Sequence, residues 1–201
     1  MENTPYAQFC PISSPLVHTI HKGTFRAVES RMVDEILGLL TVSDTYSLKN
    51  QNMTLDHAID VAGDCFELAE KAGIKFIMAM GVAFFCPYQG IISDESVFNV
   101  VNKLYKKGIR RLYLAASTGM ENPIHIQRVF TAVYDRWPDL ELGFHMHERT
   151  GMAAANMFAA LDAGAKSVEG SICGIGGGIA MPGGMGDIGN LPTEDIVNML
   201  N

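Results

Sequence analysis

What most restricts the fold of this chain is a repeat that starts near residue 15: a short apolar run, a polar turn, then a segment with helical periodicity. Apolar runs of about four to eight residues between turn signals read as buried strands, and segments with apolar residues three and four apart read as helices packed on them. Pro15 to Ile20, Ile36 to Val42, Lys75 to Met80, Arg111 to Ala115, Glu141 to His147 and Lys166 to Cys173 fit strands. Helical patterns cover about Lys22 to Glu35, Thr54 to Lys71, Asp94 to Lys107, Pro123 to Trp137, Met152 to Ala163, and Thr193 onward. Thr54 is placed to cap one helix, Asp94 and Pro123 to open two others, and Gly73, Gly108 and Gly164 to end helices.

Strand and helix in strict alternation make a parallel α/β fold. A closed barrel of this kind takes eight such units and roughly 250 residues. A chain of 201 residues with about six units is therefore either an open doubly wound sheet or a barrel lacking two units. Residues 15–201 are expected to form one domain, and residues 1–14 a segment of unclear role. With 48% hydrophobic residues the chain has enough apolar surface for its own core. It contains no apolar run long enough to span a membrane, and Met1 to Pro5 lack the features of a secretion signal, so the expected location is cytoplasmic. A net charge of −7 without basic clusters argues against nucleic acid as a partner. Cys10, Cys65, Cys86 and Cys173 have no paired spacing and are expected to be free thiols, Cys173 as a small buried strand residue.

Within this frame the segment Leu142-Gly143-Phe144-His145-Met146-His147-Glu148 carries the clearest chemistry. Two histidines one residue apart on a strand project to the same face, where their imidazoles can bite one metal ion. The same spacing also suits a polar stripe or two hydrogen-bonded core histidines. The pair falls at the carboxyl end of its strand, the end that carries chemistry in parallel α/β folds. Binding through neutral imidazoles is expected to weaken as pH falls through about 6.5. Glu148 either orients His147 or caps the next helix. The glycine-rich run Gly174 to Gly184 lacks both the Lys-Ser/Thr ending of a phosphate loop and a dinucleotide-binding spacing, and reads as an active-site lid.

Phe85-Cys86-Pro87-Tyr88-Gln89-Gly90, His145-Met146-His147, Gly151 to Asn156, Ser171 to Gly178 and Gly189 to Asp195 closely resemble the hydroxymethylglutaryl-CoA lyases, in order and spacing, over roughly residues 15 to 201. The resemblance implies a (β/α)8 TIM-type barrel of which this chain supplies units three to eight. It implies a divalent metal, Mg2+ or Mn2+, held by His145, His147 and Asn190. The implied activity is cleavage of a 3-hydroxy-3-methylglutaryl-CoA-like substrate to acetyl-CoA and a keto acid. A related aldolase, a Claisen-type acyl-CoA synthase and a catalytically inactive homologue are the alternatives. Ser43 and Asp44, after the second strand, and Tyr88 and Gln89, in the Cys-Pro-Tyr loop, are the expected substrate contacts; Lys49 and Asn52 are placed to meet a CoA phosphate or solvent. The chain departs from the family at Gly178, where the lyases carry a catalytic cysteine, and at Ala116, where they carry an aspartate. The family's first-strand arginine and acidic metal ligand have no counterpart in residues 1–14. A barrel short of two units is expected to expose an apolar sheet edge and to associate through it, as a homo-oligomer or with a partner.

Overall fold

Burial of alternate residues on both faces of a parallel sheet organises the structure, a computed structural model that describes residues 16–19, 21–177, 181–183 and 188–201, with side chains from Lys22 onward. In chain order the elements are β1 (Leu16–Thr19), α1 (His21–Ser30), β2 (Glu35–Thr41), α2 (Asp44–Gln51), α3 (Leu55–Lys71), β3 (Lys75–Gly81), β4 (Phe85–Cys86), β5 (Gly90–Ile91), α4 (Asp94–Lys106), β6 (Arg111–Ala116), α5 (Pro123–Arg136), β7 (Glu141–Met146), α6 (Ala153–Asp162), β8 (Ser167–Glu169) and α7 (Thr193–Leu200). The expected segment 1–14 lies outside the described residues. Hydroxyl and amide side chains start the helices, Thr54 as the sequence suggests: Ser43, Thr54, Ser93 and Asn122 each accept a backbone N–H from the first turn of α2, α3, α4 and α5.

Six strands pair in parallel in the order β1-β2-β3-β6-β7-β8, so each new strand is added on the same side of the last. A doubly wound sheet would reverse its strand order at a switch point; this sheet has the order of a barrel opened between β8 and β1. One face carries Ile36, Leu40, Met78, Met80, Leu112, Leu114, Phe144 and Met146 into the main core with the helices. The opposite face holds a separate cluster of Leu37, Ile77, Ala79 and Tyr113, with Leu39 against it.

That inner face is graded along the strands. At the amino ends Arg111 pairs with Glu35 and, at 3.2 Å, with Glu141, three residues that each begin their strand. The apolar cluster lies in the middle, and His145 stands near the carboxyl end, in register with Ala115 on one side and Glu169 on the other. Tyr113 pairs with Gly143, and a Cβ built on Gly143 would fall 2.1 Å from the Tyr113 ring and 2.5 Å from Ser167 Oγ. The ring therefore lies across the position where β7 has no side chain. Burial pushes the Tyr113 phenol up.

Several expectations change. An additional helix, α2, follows β2, and the Cys-Pro-Tyr loop is a hairpin, β4 paired antiparallel with β5. β8 ends at Glu169, because Ser171 already turns to pair with Pro192 and residues Ile172–Gly174 form a 3-10 turn. Cys173 is consequently exposed, not buried, with a left-handed φ of 56°. Of the two outer strands, β8 presents Ser167, Val168 and Glu169, all partly exposed, while the side chains of β1 lie outside the described residues.

Gly143→Ala is expected to destabilise the fold by about 1–3 kcal/mol through overpacking against Tyr113. In a chain of this size that amounts to several degrees of melting temperature. An unchanged thermal melt would show that the Tyr113 ring does not cross β7.

Candidate metal centre

The carboxyl end of β7 brings its two histidines together on the inner face: His145 Nε2 and His147 Nε2 are 3.2 Å apart, with ring centroids 5.1 Å apart and planes at 75°. His147 Nδ1 lies 3.1 Å from the carbonyl of Ile188. A carbonyl only accepts, so Nδ1 carries the proton and Nε2 offers its lone pair. His145 Nδ1 faces Glu169 Oε1 at 3.7 Å. Two ligands about 2.1 Å from one ion are about 3.0–3.4 Å apart at octahedral or tetrahedral angles, and the observed Nε2 spacing falls within that range. Burial, and then the neighbouring His145 ring, push His147 down to about 4. Both effects favour the neutral form of His147, the form that can ligate.

Asn190 lies beside His147 because the chain returns across the end of β7. Glu148 N donates to Gly189 O at 2.9 Å, Leu191 N to Met146 O at 3.2 Å, and His147 and Asn190 form an antiparallel bridge. On its other side Asn190 N donates to Gly174 O at 3.0 Å. The side-chain amide is pinned as well: Nδ2 donates to Ile175 O at 3.0 Å and to Ser171 Oγ at 3.3 Å. Gly176 permits this, since a Cβ there would meet Nδ2 at 2.3 Å. What remains is Oδ1, buried and without a hydrogen-bond partner. An unmet buried acceptor costs on the order of 1–3 kcal/mol, a cost that a cation removes. The histidine pair and Asn190 therefore fit the ligand set expected for a divalent ion. Among the described residues no group of three or more His, Cys, Asp and Glu side chains converges on one point, so the set that would hold an ion is two imidazoles and one amide oxygen.

The other candidates separate clearly. Glu148 resolves to the capping role: its carboxylate accepts from Gly151 N at 2.6 Å and Ala153 N at 3.2 Å at the start of α6, where Met152 provides no side-chain cap. Ser43 is 2% exposed, caps α2 and accepts from Cys86 Sγ at 3.3 Å. Asp44 Oδ1 accepts from Leu55 N at 2.7 Å. Both fix the corner between β2, α2 and α3. Asn52 ends α2 in the left-handed region. Tyr88, 37% exposed, and the exposed Gln89 lie in the hairpin turn, with Lys49 Nζ 5.0 Å above the Tyr88 ring. Ala116 is buried in the helix-side core. Gly178 lies outside the described residues.

Sequence reasoning missed Glu121, which sits in the β6–α5 loop beside the histidine segment. That loop is fastened to β7 by His147 N donating to Ala116 O at 3.1 Å and by Thr150 Oγ1 donating to Gly119 O at 2.8 Å. Glu121 is 3% exposed, accepts from Thr118 Oγ1 at 2.9 Å, and takes Asn156 Nδ2 on its backbone carbonyl at 3.0 Å. Its Oε2 and Asn156 Oδ1 are both buried without partners. Burial pushes the carboxyl up. No periodicity or motif marks this residue; an acid before Asn122-Pro123 reads as an ordinary polar turn.

The HMGL-like protein-family model matches residues 7–201. The chain belongs to the HMGL-like family. The mitochondrial hydroxymethylglutaryl-CoA lyase of Mus musculus is 32% identical over 194 residues, covering 96% of this chain and 58% of that protein. The hydroxymethylglutaryl-CoA lyase of Bacillus subtilis is 32% identical over 168 residues, covering 84% and 55%. Among solved structures, an HMG-CoA lyase from Acinetobacter baumannii in complex with coenzyme A and 3-methylmalate superimposes with a TM-score of 0.83 at 30% identity, covering 96% of this chain and 63% of that one. This HMGL-like chain spans somewhat more than half the length of these relatives, and its sheet is an incomplete TIM-type barrel.

Two outcomes follow from the centre. Manganese titration of the parent is expected to show saturable binding that the His145→Ala, His147→Ala double variant loses; equal affinity in the two would remove the site. For Glu121 the folded state favours the protonated acid, so its stabilising contribution is complete below the unfolded value near 4.3 and is lost as pH rises through the raised folded value. Glu121→Gln should therefore gain thermal stability relative to the parent between pH 5 and pH 8, by about 1 kcal/mol, or a few degrees. A melting difference independent of pH would mean that Glu121 is ionised in the fold.

Proposed function

We propose that this chain carries the metal-binding part of a carbon–carbon lyase acting on a 3-hydroxyacyl-CoA of the 3-hydroxy-3-methylglutaryl type, yielding acetyl-CoA and a keto acid. The observation that carries the reading is the trio His145 Nε2, His147 Nε2 and Asn190 Oδ1, of which the last is buried and unpartnered. A divalent ion held there, Mg2+ or Mn2+, supplies Lewis acidity toward substrate oxygens. The residues of the chain do the holding: Ile188 O fixes the His147 tautomer, Ser171 and Ile175 aim the Asn190 oxygen, and the low basicity of His147 keeps it available as a ligand.

The reaction breaks the C2–C3 bond of the substrate. The 3-hydroxyl loses its proton and C3 becomes a carbonyl, while the bonding pair passes to C2, is delocalised into the thioester carbonyl and takes up a proton. The exposed Tyr88 and Gln89, with Lys49 beside Tyr88, offer an aromatic face, an amide and a cation to the acyl-CoA. A crystallised HMG-CoA lyase relative with coenzyme A supports that ligand class. A second reading, binding of acyl-CoA without turnover, is favoured by Ala116, which puts a buried methyl group where the lyases carry an acid.

Acetyl-CoA release from a panel of 3-hydroxyacyl-CoAs, with and without Mg2+ or Mn2+, tests both readings. Metal-dependent release that chelation and the double histidine variant abolish is the expected result. Calorimetric binding of the acyl-CoA without release would select the second reading, and absence of both would sink the two together.

A further inference from the structure

We propose that Glu169 is a positioning residue of the metal centre, whose carboxylate selects the tautomer of His145 that can ligate. The inference rests on the metal reading above and extends it to a residue outside the ligand set. Glu169 is the last residue of β8 and pairs in register with His145 on β7, so both stand on the same inner face. Its Oε1 lies 3.7 Å from His145 Nδ1, on the side of the ring away from the Nε2 that faces His147.

The two histidines are not held alike. The Ile188 carbonyl at 3.1 Å places the His147 proton on Nδ1 and leaves one lone pair facing inward. His145 then has two choices. With its proton on Nε2 it donates across 3.2 Å to His147 Nε2, and the pair closes on itself. With its proton on Nδ1 it faces the Glu169 carboxylate, and both Nε2 lone pairs point at the space an ion would take. A carboxylate beside Nδ1 stabilises the second state, because the N–H then meets a full negative charge. Glu169 thereby biases the pair from a closed hydrogen bond toward an open ligand set. It also brings a negative charge close to a centre whose donors, two imidazoles and one amide, are all neutral. The 3.7 Å separation is longer than a hydrogen bond, so metal loading is expected to shorten it.

The test uses the full chain and its Glu169→Gln and Glu169→Asp variants. Imidazole 15N shifts report the His145 tautomer in the metal-free protein, and competition titration reports Mn2+ affinity. Glu169→Gln should lower the Nδ1-protonated population of His145 and weaken Mn2+ binding about 10- to 100-fold, with the metal-free melting temperature unchanged; Glu169→Asp should recover part of both effects. Glu169→Gln with an unchanged tautomer population, or with Mn2+ affinity within about twofold of the parent, would overturn the proposal. If the parent binds no Mn2+, the metal reading fails by itself, while the tautomer measurement still decides whether Glu169 controls the ring.

Discussion

The centre depends on one set of backbone hydrogen bonds, those by which residues 188–191 cross the end of β7. Glu148 N to Gly189 O and Leu191 N to Met146 O bracket the bridge between His147 and Asn190, and Ile188 O falls on His147 Nδ1. One crossing segment thus carries the candidate third donor, fixes a histidine tautomer and is tied to the start of the glycine-rich run, because Asn190 N donates to Gly174 O. If the crossing loosens, Asn190 leaves together with the group that orients His147. Three glycines of this region are packing requirements: side chains at Gly170, Gly176 or Gly189 would strike Leu191 O, the Asn190 amide or Gly174 O at 2.3–2.5 Å.

Beneath the centre, the inner face shows why β7 must carry a glycine two residues before the first histidine. Tyr113 is the large side chain of the middle layer, and it reaches toward β8 only because Gly143 leaves the row empty. The Arg111 pairs with Glu35 and Glu141 tie the starts of three strands that are not all neighbours in the sheet. These pairs are partly buried, where screening is weaker than at the surface. The ionic end fixes the strands, the aromatic middle fills the interior, and the carboxyl end is left for ligands.

The strand–helix alternation was legible because each element carries its own signal. Thr54 caps one helix and Asp94 and Pro123 open two others where the sequence places them, and the apolar runs of β2, β3, β6 and β7 match the structure to within a residue or so. His145 and His147 were legible because a period of two puts them on one face whatever the tertiary context. Helix α2 was not, since Asp44 to Gln51 is mostly polar and its Tyr46 and Leu48, two residues apart, form no helical stripe; the Ser43 cap and the Asp44 bond to Leu55 N make it. The early end of β8 escaped notice because Ser171-Ile172-Cys173 has the apolar character of a strand, and only the pairing of Ser171 with Pro192 turns it away. Glu121 and Glu169 are long-range facts: one matters through Asn156 and Thr118, the other through a register with His145 that no local pattern encodes.

The charge balance of the centre follows from the same sheet order. Two neutral imidazoles and an amide oxygen make a softer and less charged set than the carboxylate-rich sites that hard cations prefer. Among the described residues β8 is an outer strand, and in a closed barrel the next strand would lie along it, beside Glu169. A carboxylate arriving from that side would face the ion across His145 and Glu169, so the two acids would share one flank of the site. Glu169 is better suited to an outer role there than to direct ligation: it already faces the distal nitrogen of His145, and a second carboxylate on the ion would have to approach against its charge. On the proposed reading, Glu169 would place its charge on the His145 ring and leave the charge on the metal to another group.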